Sequence, residues 1–281
     1  MTTACPAKRI SQQQLSEIDL RLSDRDRQIL CQLDQLRYLR TNQVQRLFFH
    51  DSARTNRASL TATMRTLDRL KRHGLITHLT RQIGGVYHGS AGKVWHMTEA
   101  GMRLLDLGKE SDGKRKRALE PSQALLRHTL AVSECFVQLT EICRSRRSLV
   151  LKALDIEPAC WRAYQKNGKD VSLRPDLYAE IVSGQYEDRW FIEMDLDTES
   201  TGDIVEKCRR YQQYCQTDLE QKANGVFPLV LWIVPTEERR QKMIDAIRMI
   251  FGNRHPHINL IITPESLKTV ILEGAKEEDL C

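Results

Sequence analysis

No apolar run in these 281 residues approaches the roughly 18 needed to cross a bilayer, so a membrane-spanning protein is not expected. The opening stretch MTTACPAKRISQQQL lacks the apolar segment of a secretory signal, which points to the cytoplasm. None of the eight cysteines falls in a CxxC pair, and no His/Cys group has zinc-site spacing. Both a disulfide framework and a structural zinc are therefore disfavoured. Cys208 and Cys215 fall on the apolar seam of a predicted helix, where reduced thiols behave as small hydrophobes. A strong excess of one charge is missing too: 43 Lys+Arg against 37 Asp+Glu leave +6. Such a balance bears on solubility as much as on a polyanionic partner.

What is present is enough chain for about two domains of ordinary core size. The 41% hydrophobic and 28% charged content is that of a soluble globular protein. The charge is concentrated. Residues 53–81, ARTNRASLTATMRTLDRLKRHGLITHLTR, hold seven Lys/Arg and one acid, an excess equal to that of the whole chain. On a helix Leu60, Met64, Leu67 and Leu70 recur at spacings of four and three and form the predicted buried stripe, with Arg54, Arg65, Arg69 and Arg72 opposite.

Two shorter helical patterns precede it, SDRDRQILCQLDQL with Ser23 as cap and TNQVQRLFF opened by Thr41. Gly74 ends the basic helix, and LITHLTRQIGGVYHGSAGKVWHMT reads as two strands around a glycine-rich tip. Helix, helix, basic helix, hairpin is the order of a winged helix-turn-helix, expected over residues 20–107 with TEAGMRLLDLG as its closing helix. In that arrangement the third helix enters a major groove, so double-stranded DNA is the expected partner. The expected DNA contacts are Arg54, Arg57, Arg65, Arg69 and Arg72 on the helix, and Arg81 and Lys93 on the wing. The competing account is an ordinary solvated helix face. GKESDGKRKRALEPS, residues 108–122, is then a basic linker whose cations either touch phosphates or stay hydrated.

From residue 123 to about 270 the pattern is helix, strand, hairpin, helix, strand, helix, strand, which predicts a mixed sheet flanked by helices. The hairpin RPDLYAEIVSGQYEDRWFIEMDLDTES carries several acids. A turn centred between residues 185 and 186 sets Asp176 opposite Asp195. Strand alternation then puts Asp176, Glu193 and Asp195 on one face, with Leu177, Ala179, Ile181, Trp190, Ile192, Met194 and Leu196 on the other. Opposed carboxylates repel, and a divalent cation with oxygen ligands would compensate. Water, neighbouring Arg or Lys, or a bulge would do so as well. Lys207, on the next helix, either reaches this face alongside Glu199 or pairs with Asp203 at i,i+4.

The phrases SDRDRQIL, IGGVYHGSAGKVW, LRHTLAVSE, EPACWRAY, RPDLYAEI, FIEMDLDTES, KCRRYQQY and FPLVLWIVP, in this order, resemble the replication-relaxation family of bacterial plasmids and mobile elements. The resemblance runs roughly from residue 20 to 250. It implies an α/β (α+β) chain in which a winged helix is joined to a domain similar to the PD-(D/E)XK nucleases. It also implies a role in plasmid replication, relaxation or mobilisation. On that pattern Asp176 matches the first acid and Glu193 the second, while Asp195 stands where E-x-K has its lysine. Lys207 is the candidate for a lysine moved to the following helix, and Glu134 matches a further acid on the preceding helix. Where the domain is active, the resemblance implies a metal-dependent endonuclease or nickase, with Mg2+ or Mn2+ held by Asp176, Glu193 and Asp195. The implied partners are DNA and replication or mobilisation proteins, with a homodimer as a further expectation. The alternative is a transcriptional regulator whose inactive nuclease-like domain serves dimerisation or docking.

Overall fold

The computed structural model describes residues 10–50, 55–79, 92–107, 121–252, 257–275 and 280. The chain divides into two compact units, Met1–Ser133 and Glu134–Cys281. No helix among the described residues is long and apolar enough to cross a membrane.

The first unit runs α1 (Gln12–Asp19), α2 (Asp24–Leu36), β1 (Leu39–Arg40), α3 (Thr41–Phe48), α4 (Asn56–Arg72), β2 (Ile76–His78), β3 (Val94–Met97) and α5 (Glu99–Leu105). Its three short strands form a sheet in the order β1-β3-β2. Ser23 caps α2 in a reciprocal box with Asp26. Thr41 opens α3 as its first residue rather than its cap, and its Oγ1 accepts from the Trp95 indole at 3.0 Å, tying the helix to β3. Gly74, at φ 72°, lets the chain leave α4. Gly101 has no substitute, since a Cβ there would lie 2.1 Å from the Leu75 carbonyl oxygen.

The α4 stripe is rotated from its expected position. Leu67 and Leu70 are buried with Ser59, Thr63 and Thr66, whereas Leu60 is 43% exposed and Met64 half-buried. Hydrogen bonding accounts for the turn: the Ser59 hydroxyl donates to the Phe49 carbonyl at 2.6 Å, and that of Thr63 to the Ser59 carbonyl at 2.9 Å. These small hydroxyl residues bury their own polar groups and admit close packing by α3. Arg69, one of the expected DNA contacts, forms an ion pair within the unit, its Nη2 lying 2.5 Å from Oδ1 of the buried Asp26. Asp26→Ala removes both the cap and this pair, and is expected to cost about 2 kcal/mol in urea unfolding of the full chain. Arg69→Ala should cost about 1 kcal/mol, because the arginine is partly exposed and solvent screens it.

The division between the units falls inside α6 (Gln123–Ser145), whose Leu126 and Leu130 pack with Val94, Tyr38 and Leu79. Residues 108–120 of the expected linker lie outside the described residues.

The second unit continues with β4 (Leu149–Ile156), β5 (Arg162–Lys166), β6 (Lys169–Leu173), β7 (Leu177–Ser183), β8 (Tyr186–Met194), α7 (Thr201–Cys215), α8 (Leu219–Asn224), β9 (Leu229–Ile233), α9 (Glu237–Phe251), β10 (Asn259–Ile262) and α10 (Leu267–Glu273). Five strands form the mixed sheet expected from the sequence, in the order β10-β9-β8-β7-β4. β8, β9 and β10 run parallel, while β7 and β4 pair antiparallel. On one face Phe191, Tyr178 and Trp232 pack under Ile204, Cys208, Tyr211 and Tyr214 of α7 and Met243 and Ile247 of α9. The two-stranded β5–β6 hairpin, not anticipated in the sequence pattern, docks on the same core through Tyr164 and Leu173.

Candidate functional site

The β7–β8 hairpin turns at Gly184 and Gln185, with Ser183 opposite Tyr186 and Leu177 opposite Ile192. Its centre therefore lies between residues 184 and 185, one position earlier than the sequence suggested. Asp176 consequently does not face Asp195; it sits beside Glu193. Its N–H donates to the Ile192 carbonyl at 3.1 Å, and its Oδ2 accepts from the Met194 N–H at 2.8 Å. Gly184, at φ 62°, permits the two-residue turn. Moving the centre by one position slides one strand past the other by two residues, an even number, so the face assignments are unchanged.

The acidic face is not the wet side of the sheet. Tyr178 and Phe191 share it and are buried beneath α7, and Glu193 is only 3% exposed. Its Oε1 accepts from the Tyr211 hydroxyl at 2.7 Å, and its Oε2 lies 3.5 Å from Lys207 Nζ. Lys207 Nζ is nearer to Glu199, at 3.0 Å from Oε1, and stands 6.0 Å from the Trp232 ring centroid. Lys207 thus reaches the acidic face rather than forming a salt bridge with Asp203, whose carboxylate is engaged in the Ser200 capping box.

Burial, reinforced by the Asp176 carboxylate, pushes the Glu193 pKa from an ordinary 4.5 up to about 8, against the opposing pull of Lys207 and Tyr211. Burial works against charge on Lys207 as well, yet the facing carboxylates Glu193, Glu199 and Asp176 outweigh it and raise its pKa. The two shifts oppose each other, one favouring a neutral Glu193 and the other a charged partner for the lysine. The distances reconcile them: Glu199 is the closer counter-ion of Lys207, which leaves Glu193 to hold a proton beside Asp176. A carboxyl whose folded pKa exceeds its unfolded value binds protons more tightly when folded. Stability is therefore expected to fall as pH rises from about 4.5 to about 8, and Glu193→Gln should flatten that fall. Urea midpoints at pH 5, 7 and 9 would check this, and parallel curves for both proteins would contradict it.

Asp195 departs from the expected site. It is buried and takes a forked contact from Arg239, with Nε at 2.6 Å from Oδ2 and Nη2 at 3.2 Å from Oδ1. Arg239 also donates to the Glu199 carbonyl at 2.7 Å and meets Asp197 Oδ1 at 3.1 Å. The Asp197 N–H donates to Asp195 Oδ1 at 3.1 Å, so residues 195–199 form a clasp around one guanidinium. This clasp presents Glu199 to Lys207. Among the described residues no group of three or more His, Cys, Asp and Glu side chains is placed to hold a metal ion. Asp176 and Glu193 remain a pair, and a Mg2+ or Mn2+ ion commonly takes one or two carboxylates, with water and phosphate oxygens completing its shell. The residues fit such an ion with two protein ligands, not with the three expected. Glu134, on α6, is half-buried and accepts from Gln138 at 3.3 Å. Burial, with smaller contributions from the Glu134 and Asp176 carboxylates, raises the pKa of the neighbouring Cys135 thiol.

At Glu193 opens a cavity of about 250 Å3, lined by Ser172, Leu173, Arg174, Glu193, Lys207, Arg210 and Tyr211. Sequence reasoning missed Tyr211 as a polar partner, Arg239 as the counter-ion of Asp195, and Arg174 and Arg210 as cations of the cavity. Tyr211 stood among apolar seam residues, where only its hydroxyl hinted at a buried acceptor.

On the first unit, Arg57, Arg65, Lys71 and Arg72 are exposed along α4. Arg69 is paired with Asp26. Lys93 lies with Nζ 5.7 Å from the Trp95 ring centroid. Arg54 and Arg81 fall outside the described residues.

Residues 30–230 match a family model described as replication-relaxation. No curated protein and no solved structure matches the chain.

Proposed function

Since the chain belongs to the replication-relaxation family, we propose that it is a DNA-binding protein of a plasmid or other mobile element, acting in replication, relaxation or mobilisation. The observation that carries this reading is the outward face of α4. Arg57, Arg65, Lys71 and Arg72 are exposed there on a helix that follows α3 and precedes a strand pair, the order of a winged helix-turn-helix. The Gln45 amide reaches the Asn56 side chain at 2.7 Å and fixes the start of α4 on α3. A fixed helix presenting cations suits the major groove of duplex DNA, with Arg57 in its first turn, where base edges are met, and Arg65 further along the same helix.

The second unit supports a nuclease-like reading. Asp176 and Glu193 would hold a Mg2+ or Mn2+ ion, which when bound polarises a phosphodiester and lowers the pKa of a water nucleophile. Glu193 would release its proton as the cation is taken up. Lys207, steadied by Glu199, places positive charge where a pentavalent phosphate would develop negative charge. One observation favours a second reading. The residue in the lysine position, Asp195, is held by Arg239 as a structural ion pair, as in a regulator whose nuclease-like unit serves docking.

Fluorescence anisotropy with duplexes from the element's replication or transfer origin tests the first-unit reading. Arg57→Ala and Arg65→Ala are each expected to weaken binding and to reduce the slope of log K against log salt by about 1. Arg69→Ala should lower stability and leave that slope unchanged. Wild-type affinity and slope in the Arg57 and Arg65 variants would remove α4 from the interface. A footprint on a short palindrome at the protein's own promoter, in place of an origin, would favour the regulator.

A further inference from the structure

We propose that the β5–β6 hairpin and α7 form a polynucleotide-binding rim, in which Arg174 and Arg210 grip phosphates of a DNA strand at the mouth of the Glu193 cavity. This rests on the reading of the second unit as one that acts on nucleic acid. The cavity has an acidic floor, the buried Glu193, and a cationic wall formed by Lys207, Arg174 and Arg210. A phosphodiester fits such a polarity, with some oxygens turned to a cation on the carboxylates and the others to the guanidinium groups.

The arginines are positioned for this task. The Arg174 guanidinium carbon lies 4.6 Å from the Trp161 ring centroid. Stacking uses the flat face of the group and leaves its in-plane N–H donors for an anion. No carboxylate among the described residues forms an ion pair with Arg174. Among the described residues the carboxylate paired with Arg210 is that of Glu206, in an exposed i,i+4 contact at 3.9 Å that water and salt screen. The hairpin extends the same charge. Lys166 and Lys169 flank its tip, and Lys166 Nζ donates to Gln213 at 2.6 Å, a neutral partner that leaves the cation uncompensated.

The hairpin is built in rather than pendant. Asn167 and Gly168, at φ 50° and 72°, make its two-residue turn. Tyr164 packs on Tyr214 with centroids 5.2 Å apart, and Arg162 pairs with the buried Glu220 at 2.8 Å. At about 3.3 Å per strand residue the cations from Arg174 to Lys169 cover on the order of 15 Å. That length exceeds a single small anion and spans several phosphates of a strand, which is why a polymer is the fitting ligand.

Photo-crosslinking tests the rim without requiring cleavage. The full chain, in an Arg57→Ala/Arg65→Ala background that weakens the first unit, is irradiated with a bromouracil-substituted DNA strand in EDTA, and crosslinked peptides are mapped. Crosslinks are expected within residues 160–174 and 206–216. Arg174→Ala/Arg210→Ala should lower their yield at least fivefold with an unchanged melting temperature, and Arg174→Lys should restore part of it. The exposed Arg248, on α9, serves as a control whose alanine variant leaves the yield unchanged. Crosslinks that map elsewhere in the second unit, or a yield indifferent to the double variant, would overturn the rim. Crosslinks that stand while plasmid is never nicked would reject cleavage and leave the rim intact. Nicking with crosslinks elsewhere would reject the rim alone.

Discussion

Asp176→Ala is expected to abolish Mn2+-dependent nicking of supercoiled plasmid, lowering the rate by roughly a thousandfold, the scale of several kcal/mol of transition-state stabilisation. The expectation follows from where the side chain is held. Its backbone N–H and one carboxylate oxygen are both tied to β8, at Ile192 and Met194, which fixes the group next to Glu193. A carboxylate so placed stands across the ladder from Glu193, the acid that lines the cavity. Asp195→Asn should behave differently: Asp195 faces Arg239, so nicking should persist at temperatures where the variant remains folded. Gel assays on equal folded fractions, judged by circular dichroism, would separate the two. A wild-type protein that leaves plasmid supercoiled in both Mg2+ and Mn2+ would point to the docking function instead. Nicking that survives Asp176→Ala would show that the activity does not arise at this pair.

Arg239→Ala is expected to cost about 3–5 kcal/mol, because it strands the buried Asp195 carboxylate without its counter-ion. For a chain of this size that corresponds to a drop of on the order of 10 °C in melting temperature. The guanidinium also pairs with the Asp197 carboxylate and donates to the Glu199 carbonyl, so its loss should loosen the whole segment after β8. Lys207 would lose the steady position of Glu199 and turn further towards Glu193. The Arg239→Met/Asp195→Leu double variant removes both charges together, and should recover most of the stability. Scanning calorimetry of the three proteins gives the answer. A single variant that melts within a degree or two of wild type would mean that water or another cation takes over the carboxylate.

The mixed sheet, the order of its strands and helices, and the face carrying Asp176 and Glu193 could be read from hydrophobic alternation, because a buried face punishes any odd-numbered slip. The partner of each acid could not, since the turn SGQYED offers more than one centre and only packing selects between them. Asp195 was misplaced for another reason: strand parity gives the face but not the rotamer, and Arg239 lies 44 residues away on α9, where EERRQ looks like an ordinary solvated stretch. The α4 stripe is rotated because apolar counting ignores the small residues Ser59, Thr63 and Thr66, all buried, with the Ser59 and Thr63 hydroxyls donating to the Phe49 and Ser59 carbonyls. The β5–β6 hairpin had a legible signal, the Asn167–Gly168 pair within YQKNGKD, one of the strongest short-range hairpin cues.

The two-residue turn at Gly184 and Gln185 carries a consequence for how this chain tolerates change in length. Lengthening that tip by two positions while trimming nothing else leaves every inward side chain inward and merely swaps its neighbour across the ladder. Adding a single residue with β7 forced to re-pair against a fixed β8 would drive Tyr178 out of its aromatic nest and turn Asp176 towards the opposite layer. Length variants of this tip should therefore fall into two populations, even insertions that fold and odd ones that survive only by bulging.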